Sequence, residues 1–157
     1  MIHPRVNLVH AEVVATMRGV AREAVYDLVD GVGNNGESFI WVFNVCARPN
    51  RERELRFWSR ELNQPAAVRG LLLEEVIRQI VPRRDVVPGQ FCGLPNWQVR
   101  DLLRVSRRTL LDLRSELGSV PHNGGMYVPR VALESFFRRR WCFAATLAAE
   151  LAAKRNL

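Results

Sequence analysis

An α+β fold is what this 157-residue sequence predicts, and three observations predict it. Segments with apolar residues at helical spacing flank two short runs rich in aromatic and β-branched residues. An Asn-Gly dipeptide sits between two further extended pieces. Composition and charge both break near residues 81–90, where two prolines and a glycine interrupt the chain. The expected organisation is an α-β-β-α unit over residues 1–80, a linker over 81–90, and a second unit over 91–157 made of two capped helices, a hairpin, a third helix and a terminal helix.

From about Asn7 to Val29, residues Val9, Val13, Val14, Met17, Val20, Ala21, Ala24, Val25 and Leu28 recur at helical spacing. They predict one amphipathic helix, ended by the turn chemistry of Asp30-Gly31 and Gly33 to Gly36. Phe39 to Val45 and Glu54 to Trp58 read as strands around the loop 47–51, which makes a β-hairpin. Ala67, Val68, Leu71, Leu72, Leu73, Val76, Ile77 and Ile80 predict a further helix starting at Gln64-Pro65. The hairpin must bury one face against the two helices. Phe39, Trp41, Phe43, Phe57 and Trp58 are expected in that core. Arginines 48, 51, 53, 56 and 60 alternate with Glu52, Glu54 and Glu61 and are expected to form a solvated face of cross-strand ion pairs. A self-association or partner-binding role suits this half.

In the second half, Asn96 is the expected N-cap of a helix carrying Trp97, Val99, Leu102 and Leu103. After the connection Arg104-Val105-Ser106, Ser106 caps a second helix that Gly118 closes. Two capped helices about three residues apart make a helix-turn-helix. Val105, Leu110, Leu113 and Leu117 fall on the side that packs against Leu102 and Leu103. Arg107, Arg108, Leu111, Arg114 and Ser115 point elsewhere, on the helix expected to read DNA over 106–117. Residues 119–129 form a wing around Asn123-Gly124, because type I′ turns need positive φ. A third helix starts near Pro129, a residue favoured at the first helical position. The stretch from Arg138 to Ala153 is strongly helix-forming, with Leu147, Leu151 and the alanines as a seam toward the first unit or a second copy.

The formal charge of +7 is unevenly distributed. Residues 1–80 carry ten arginines against ten acidic residues, whereas residues 81–157 carry thirteen basic against six acidic residues. All of the excess therefore belongs to the second half, which makes it a candidate for a polyanion partner. Arginine in the first turn of a recognition helix makes a bidentate bond to guanine or a contact to phosphate. Arg138, Arg139 and Arg140 are expected against the DNA backbone.

Other classes find less support. Three widely spaced cysteines, Cys46, Cys92 and Cys142, suit neither a disulfide framework nor a zinc site and are expected as small buried residues. The three histidines are scattered, so neither metal nor cofactor is expected. No Gly-rich phosphate loop or activated nucleophile is visible, and no enzyme is expected. With no apolar stretch long enough to span a bilayer and no signal-like start, the expected location is the cytoplasm, without membrane association.

The run Leu102-Leu103-Arg104-Val105-Ser106-Arg107-Arg108-Thr109-Leu110, the wing, and Tyr127-Val128-Pro129-Arg130-Val131-Ala132-Leu133-Glu134-Ser135-Phe136 together resemble the winged helix-turn-helix of the excisionase and MerR-like superfamily. The likeness covers about 50 residues, roughly 90–140, and none of the first 80. It implies that Arg107, Arg108, Leu111 and Arg114 lie toward the major groove and that His122, Asn123 and Tyr127 lie on or near the wing; Ser106 and Ser115 are further expected DNA-binding residues. Trp97-Gln98-Val99-Arg100 departs from the alanine- or glutamate-rich first helix usual in that family, and no long coiled coil with effector cysteines follows. The expected function is sequence-specific binding of double-stranded DNA by a transcriptional regulator of phage or mobile-element type, acting as a homodimer or higher oligomer. The alternatives are a recombination directionality factor or terminase small subunit, and an inhibitor or adaptor whose N-terminal hairpin engages a host or phage protein.

Overall fold

The computed structural model describes residues 2, 6–30, 39–82 and 91–142. The expected end of the first helix, most of the linker at 81–90 and the terminal helix beyond Cys142 lie outside these residues. The chain is α+β. Its first part runs β1 (Leu8–His10), α1 (Ala11–Arg18), α2 (Arg22–Asp30), β2 (Val42–Asn44), β3 (Leu55–Trp58), α3 (Ser59–Asn63), α4 (Pro65–Val68) and α5 (Leu73–Ile80). The second runs β4 (Gly93–Pro95), α6 (Asn96–Leu103), α7 (Arg107–Asp112), α8 (Arg114–Leu117), β5 (Val120–His122), β6 (Gly125–Pro129) and α9 (Arg130–Arg140).

The expected hairpin is present, with Val42 opposite Phe57 and Asn44 opposite Leu55. The expected single helix over 7–29 is instead a strand and two helices. Gly19 closes α1 with φ of 64° in the left-handed region, its N–H bonded to the carbonyls of Ala15 and Thr16. Leu8 to His10 pair antiparallel with Trp58 to Arg56, so β3 is the central strand of a three-stranded sheet. The second expected helix is likewise divided: Leu72 adopts extended backbone, caps α5 and is 67% exposed rather than in the core.

Strand alternation explains how the sheet is used. Val9, Val42, Leu55 and Phe57 join Val14, Ala15, Val25 and Val29 of α1 and α2 in one apolar cluster. Leu8, Phe43 and Trp58 join a second, which continues through Val76, Ile77 and Ile80 of α5 into Leu94, Leu103, Leu110, Leu113, Leu117, Leu133, Phe136 and Phe137. The sheet is thus a middle layer with α1 and α2 on one face and α5 and the second half on the other. The two halves, expected as units joined by a linker, share this second core. Phe43 packs edge-on against Phe137 at 5.2 Å between ring centroids, Trp41 stacks on Trp141 at 5.3 Å, and the Trp141 indole N–H donates to the Ile40 carbonyl at 2.8 Å.

Local chemistry in the second half matches its sequence closely. The Ser106 hydroxyl accepts the Thr109 N–H at 3.1 Å, Gly118 closes α8 at φ of 63°, and the β5–β6 turn consists of Asn123 and Gly124 with φ of 46° and 79°. Three details differ. Residues 93–95 pair with 127–129 as a strand, so Pro95 occupies the cap and Asn96 is already helical. The helix expected over 106–117 is two pieces, interrupted at Leu113 with φ of −88° and ψ of −4°. Pro129 is the last residue of β6 and the N-cap of α9 rather than its first residue. Replacing Ser106 by alanine should cost about 1 kcal/mol in denaturant titrations and speed amide exchange in α7; an unchanged midpoint would remove the hydroxyl from its capping role.

Candidate nucleic-acid interface

The connection from α6 to α7 is built by Arg104, which takes up a left-handed conformation at φ of 56° and ends α6. The next two residues are Val105, buried, and Ser106, exposed at the cap. Leu110, Leu113 and Leu117 then turn inward. That burial leaves Arg107, Leu111 and Arg114 on the opposite side at spacings of four and three residues, with Arg108 and Ser115 beside them, all exposed. Leu111 is 52% exposed, as a contact residue is and a core residue is not.

The charges on this surface are free to act. Arg108 is 84% exposed, and its Nε lies 3.7 Å from Asp112 Oδ1, a pair of little energetic weight. Arg107 and Arg114 have no ion-pair partner among the described residues. Arg100 is exposed and Arg104 half-buried on the adjoining helix end, where they line a cleft of about 460 Å³ with His10, Trp97, Asp101 and Val105. Trp97 is 65% exposed there. Burial, with Arg56 next in weight, lowers the His10 pKa below its ordinary value. Arg100, Arg104 and Trp97 were not expected in the site, although four arginines from 100 to 108 signalled it.

The β5–β6 hairpin brings His122 and Tyr127 together on its outer face. Their rings lie 5.3 Å apart, and Phe91 completes the cluster at 4.6 Å from His122 and 6.1 Å from Tyr127. Asn123 is exposed at the turn, and Met126 is 45% exposed beside it. A side chain at position 93 would collide with the Phe91 ring, whose nearest atom would lie 2.5 Å from an added Cβ. Phe91, the first residue after the expected linker, is not among the expected site residues.

The arginines at the end of α9 occupy different places from those expected. Arg140 is only 5% exposed and is not available to phosphate. Its guanidinium donates to the carbonyls of Asn44 and Cys46 at 3.1 and 2.6 Å and to Glu116 Oε2 at 3.0 Å, and it lies 4.8 Å from the Phe136 ring centroid. Arg139 is exposed but pairs with Glu116 at 3.3 Å. Arg138 is exposed and donates to Glu74 at 2.7 Å. Arg130 at the start of α9 donates to Pro82 and Val81 carbonyls and to Glu134. Among the described arginines of the second half, those left without a strong partner therefore lie on and between α6, α7 and α8. Among the arginines of the first half, Arg53 pairs with Asp30 across elements, and Arg56 is buried rather than on a solvated face.

Hydrogen bonds from Arg140, then from Arg139, hold the Glu116 carboxyl below its ordinary carboxylate range. A carboxylate with a depressed folded pKa stabilises the fold above its unfolded pKa, and that stabilisation disappears as pH falls through the folded value. Acid denaturation should accordingly steepen below the ordinary value of 4.5. Glu116→Gln should flatten that limb, as read by stability against pH; an identical acid limb would show that the group does not contribute.

Among the described residues no group of histidine, cysteine and acidic side chains is arranged to hold a metal ion, and no helix is long and apolar enough to cross a membrane. Cys46 is buried, Cys142 half-buried and Cys92 exposed, so the last of these departs from the burial expected. Burial, opposed by the Arg53 charge and assisted by that of Asp30, pushes the Cys142 thiol up to about 11. Comparison with protein-family profiles, curated proteins and solved structures finds no match to this chain.

Proposed function

We propose that this protein binds double-stranded DNA sequence-specifically through a winged helix-turn-helix, with α6 and α7–α8 as the two helices and the β5–β6 hairpin as the wing. The observation that carries the reading is the exposed face of α7–α8. Arg107, Arg108 and Arg114 project from it together with Leu111, while Leu110, Leu113 and Leu117 of the same segment are buried. In this reading Arg107 and Arg108 meet base edges in the major groove, Leu111 supplies an apolar contact, and Ser106, Arg114 and Ser115 orient the segment on phosphate. His122, Asn123 and Tyr127 approach the flanking backbone from the wing. Arg139 and Arg138 reach phosphate only by leaving Glu116 and Glu74, so their contribution is secondary.

The biological task we propose is that of a regulator of phage or mobile-element type, as the excisionase resemblance implies, binding as a homodimer. No catalytic step and no cofactor is part of it. The test is selection of bound duplexes from a random library by the full chain. The expected result is an enriched motif, palindromic for a dimer, whose binding weakens steeply with salt. A library that emerges unenriched would overturn the proposal.

A further inference from the structure

We propose that the N-terminal sheet is the platform that sets the angle at which α7 and α8 are presented, with Arg56 and Arg140 as the positioning residues. This inference rests on the DNA reading above. The two guanidinium groups cross between the halves in opposite directions and hold the DNA-reading segment at its two ends.

Arg56 lies on the central strand β3 and is 5% exposed. Its Nε donates to the Leu103 carbonyl at 2.9 Å and a terminal nitrogen to the Arg104 carbonyl at 2.8 Å, while the other terminal nitrogen donates to Leu55 of its own strand at 3.0 Å. The first two acceptors are at the C-terminal end of α6, where carbonyls lack intrahelical partners and the helix dipole favours a cation. Arg104 is the residue held at positive φ, a conformation that a side chain disfavours unless its surroundings impose it. Two residues later Ser106 caps α7. Arg56 therefore fixes the turn from which α7 departs.

Arg140 works at the other end. It leaves α9 to bind the end of β2 through the Asn44 and Cys46 carbonyls, and it holds Glu116 of α8 with its remaining donors. One guanidinium thereby joins β2, α8 and α9. A lysine ammonium cannot reproduce either arrangement, because the planar fork spans several fixed acceptors at once. Neither arginine faces solvent, so neither touches phosphate. Their influence on DNA passes through geometry, and base contacts demand placement within a fraction of an ångström.

The experiment uses the full chain carrying Arg56→Lys, Arg56→Met, Arg140→Lys or Glu116→Gln, the last leaving both arginines in place should the others fail to fold. Affinity is measured for the selected duplex and for a random duplex across a salt series, with amide chemical shifts of the free protein. The expected result is a loss of at least about tenfold on the selected duplex, while for the Arg56 and Arg140 variants random-duplex affinity and the salt slope stay as in the wild type, since no phosphate contact is removed; Glu116→Gln, which also releases Arg139, is judged on the selected duplex and the amide shifts. Shifts should move in residues 104–117 and remain in α1 and α2. Folded variants that bind the selected duplex as the wild type does would overturn the proposal, as would a salt slope reduced by about one, which marks a direct phosphate contact. A wild-type chain that enriches no motif would instead overturn the DNA reading, and this inference with it.

Discussion

Replacing Phe43 by alanine should cost about 3–5 kcal/mol, the range for removing a fully buried phenylalanine ring. Phe43 is inaccessible to solvent on β2, and its ring meets Phe137 of α9 edge-on at 81°. The residue belongs to the cluster that runs from Leu8 to Phe137, so the cavity would open in the core common to both halves. Domains of this size are stable by only about 5–15 kcal/mol. The loss is therefore a large share of the total, and it should appear in both halves at once. Urea titrations followed at amides of β3 and of α9 should give one coincident transition, displaced equally in the variant. A β3 transition that moves while α9 stays behind would mean that the halves unfold separately. Phe43→Leu, which retains most of the volume, should lose much less.

The second large effect is expected at the candidate interface. Alanine at Arg107 and at Arg108 should each lower affinity for a selected duplex by about 5- to 150-fold, corresponding to the 1–3 kcal/mol of a bidentate guanine contact. Both side chains are exposed and bury no core, so melting temperatures should barely change. Arg108 should not be masked by Asp112, since a pair this exposed contributes little. The salt series separates two kinds of contact. An arginine that reads a base relaxes specificity at one position of the motif, whereas one on phosphate weakens all duplexes alike and lowers the slope by about one. If the double variant retained full, motif-specific binding, α7 would not be the reading element.

The readings that agreed with the structure concern short-range chemistry. Ser106 accepts an N–H three residues on, Gly118 needs positive φ that it adopts at little cost, and Asn123-Gly124 builds a two-residue turn. Each outcome is decided within about four residues, and each was legible. The hairpin of β2 and β3 was legible for a similar reason, since its strands are near neighbours along the chain. Val9 shows where such reading stops. Its spacing suits a helix, but the partner that makes it part of a strand is Phe57 of β3, almost fifty residues away.

The arginines mark the same boundary. Sequence located the basic excess in the second half, because charge is a property of residues wherever they fold. It could not sort Arg140 from Arg107, since both are arginines in helices with basic neighbours. Tertiary structure sorted them: Arg140 and Arg56 were drawn inside by carbonyls of the opposite half, and Arg107, Arg108 and Arg114 were left facing water. By itself the sequence determined the α+β class, the Ser106 cap, the helix end at Gly118 and the Asn123-Gly124 turn, all set by local backbone preference. Only the tertiary structure decided that the halves share a core and which guanidinium groups remain available, because burial and hydrogen-bond partners depend on contacts that no local pattern records.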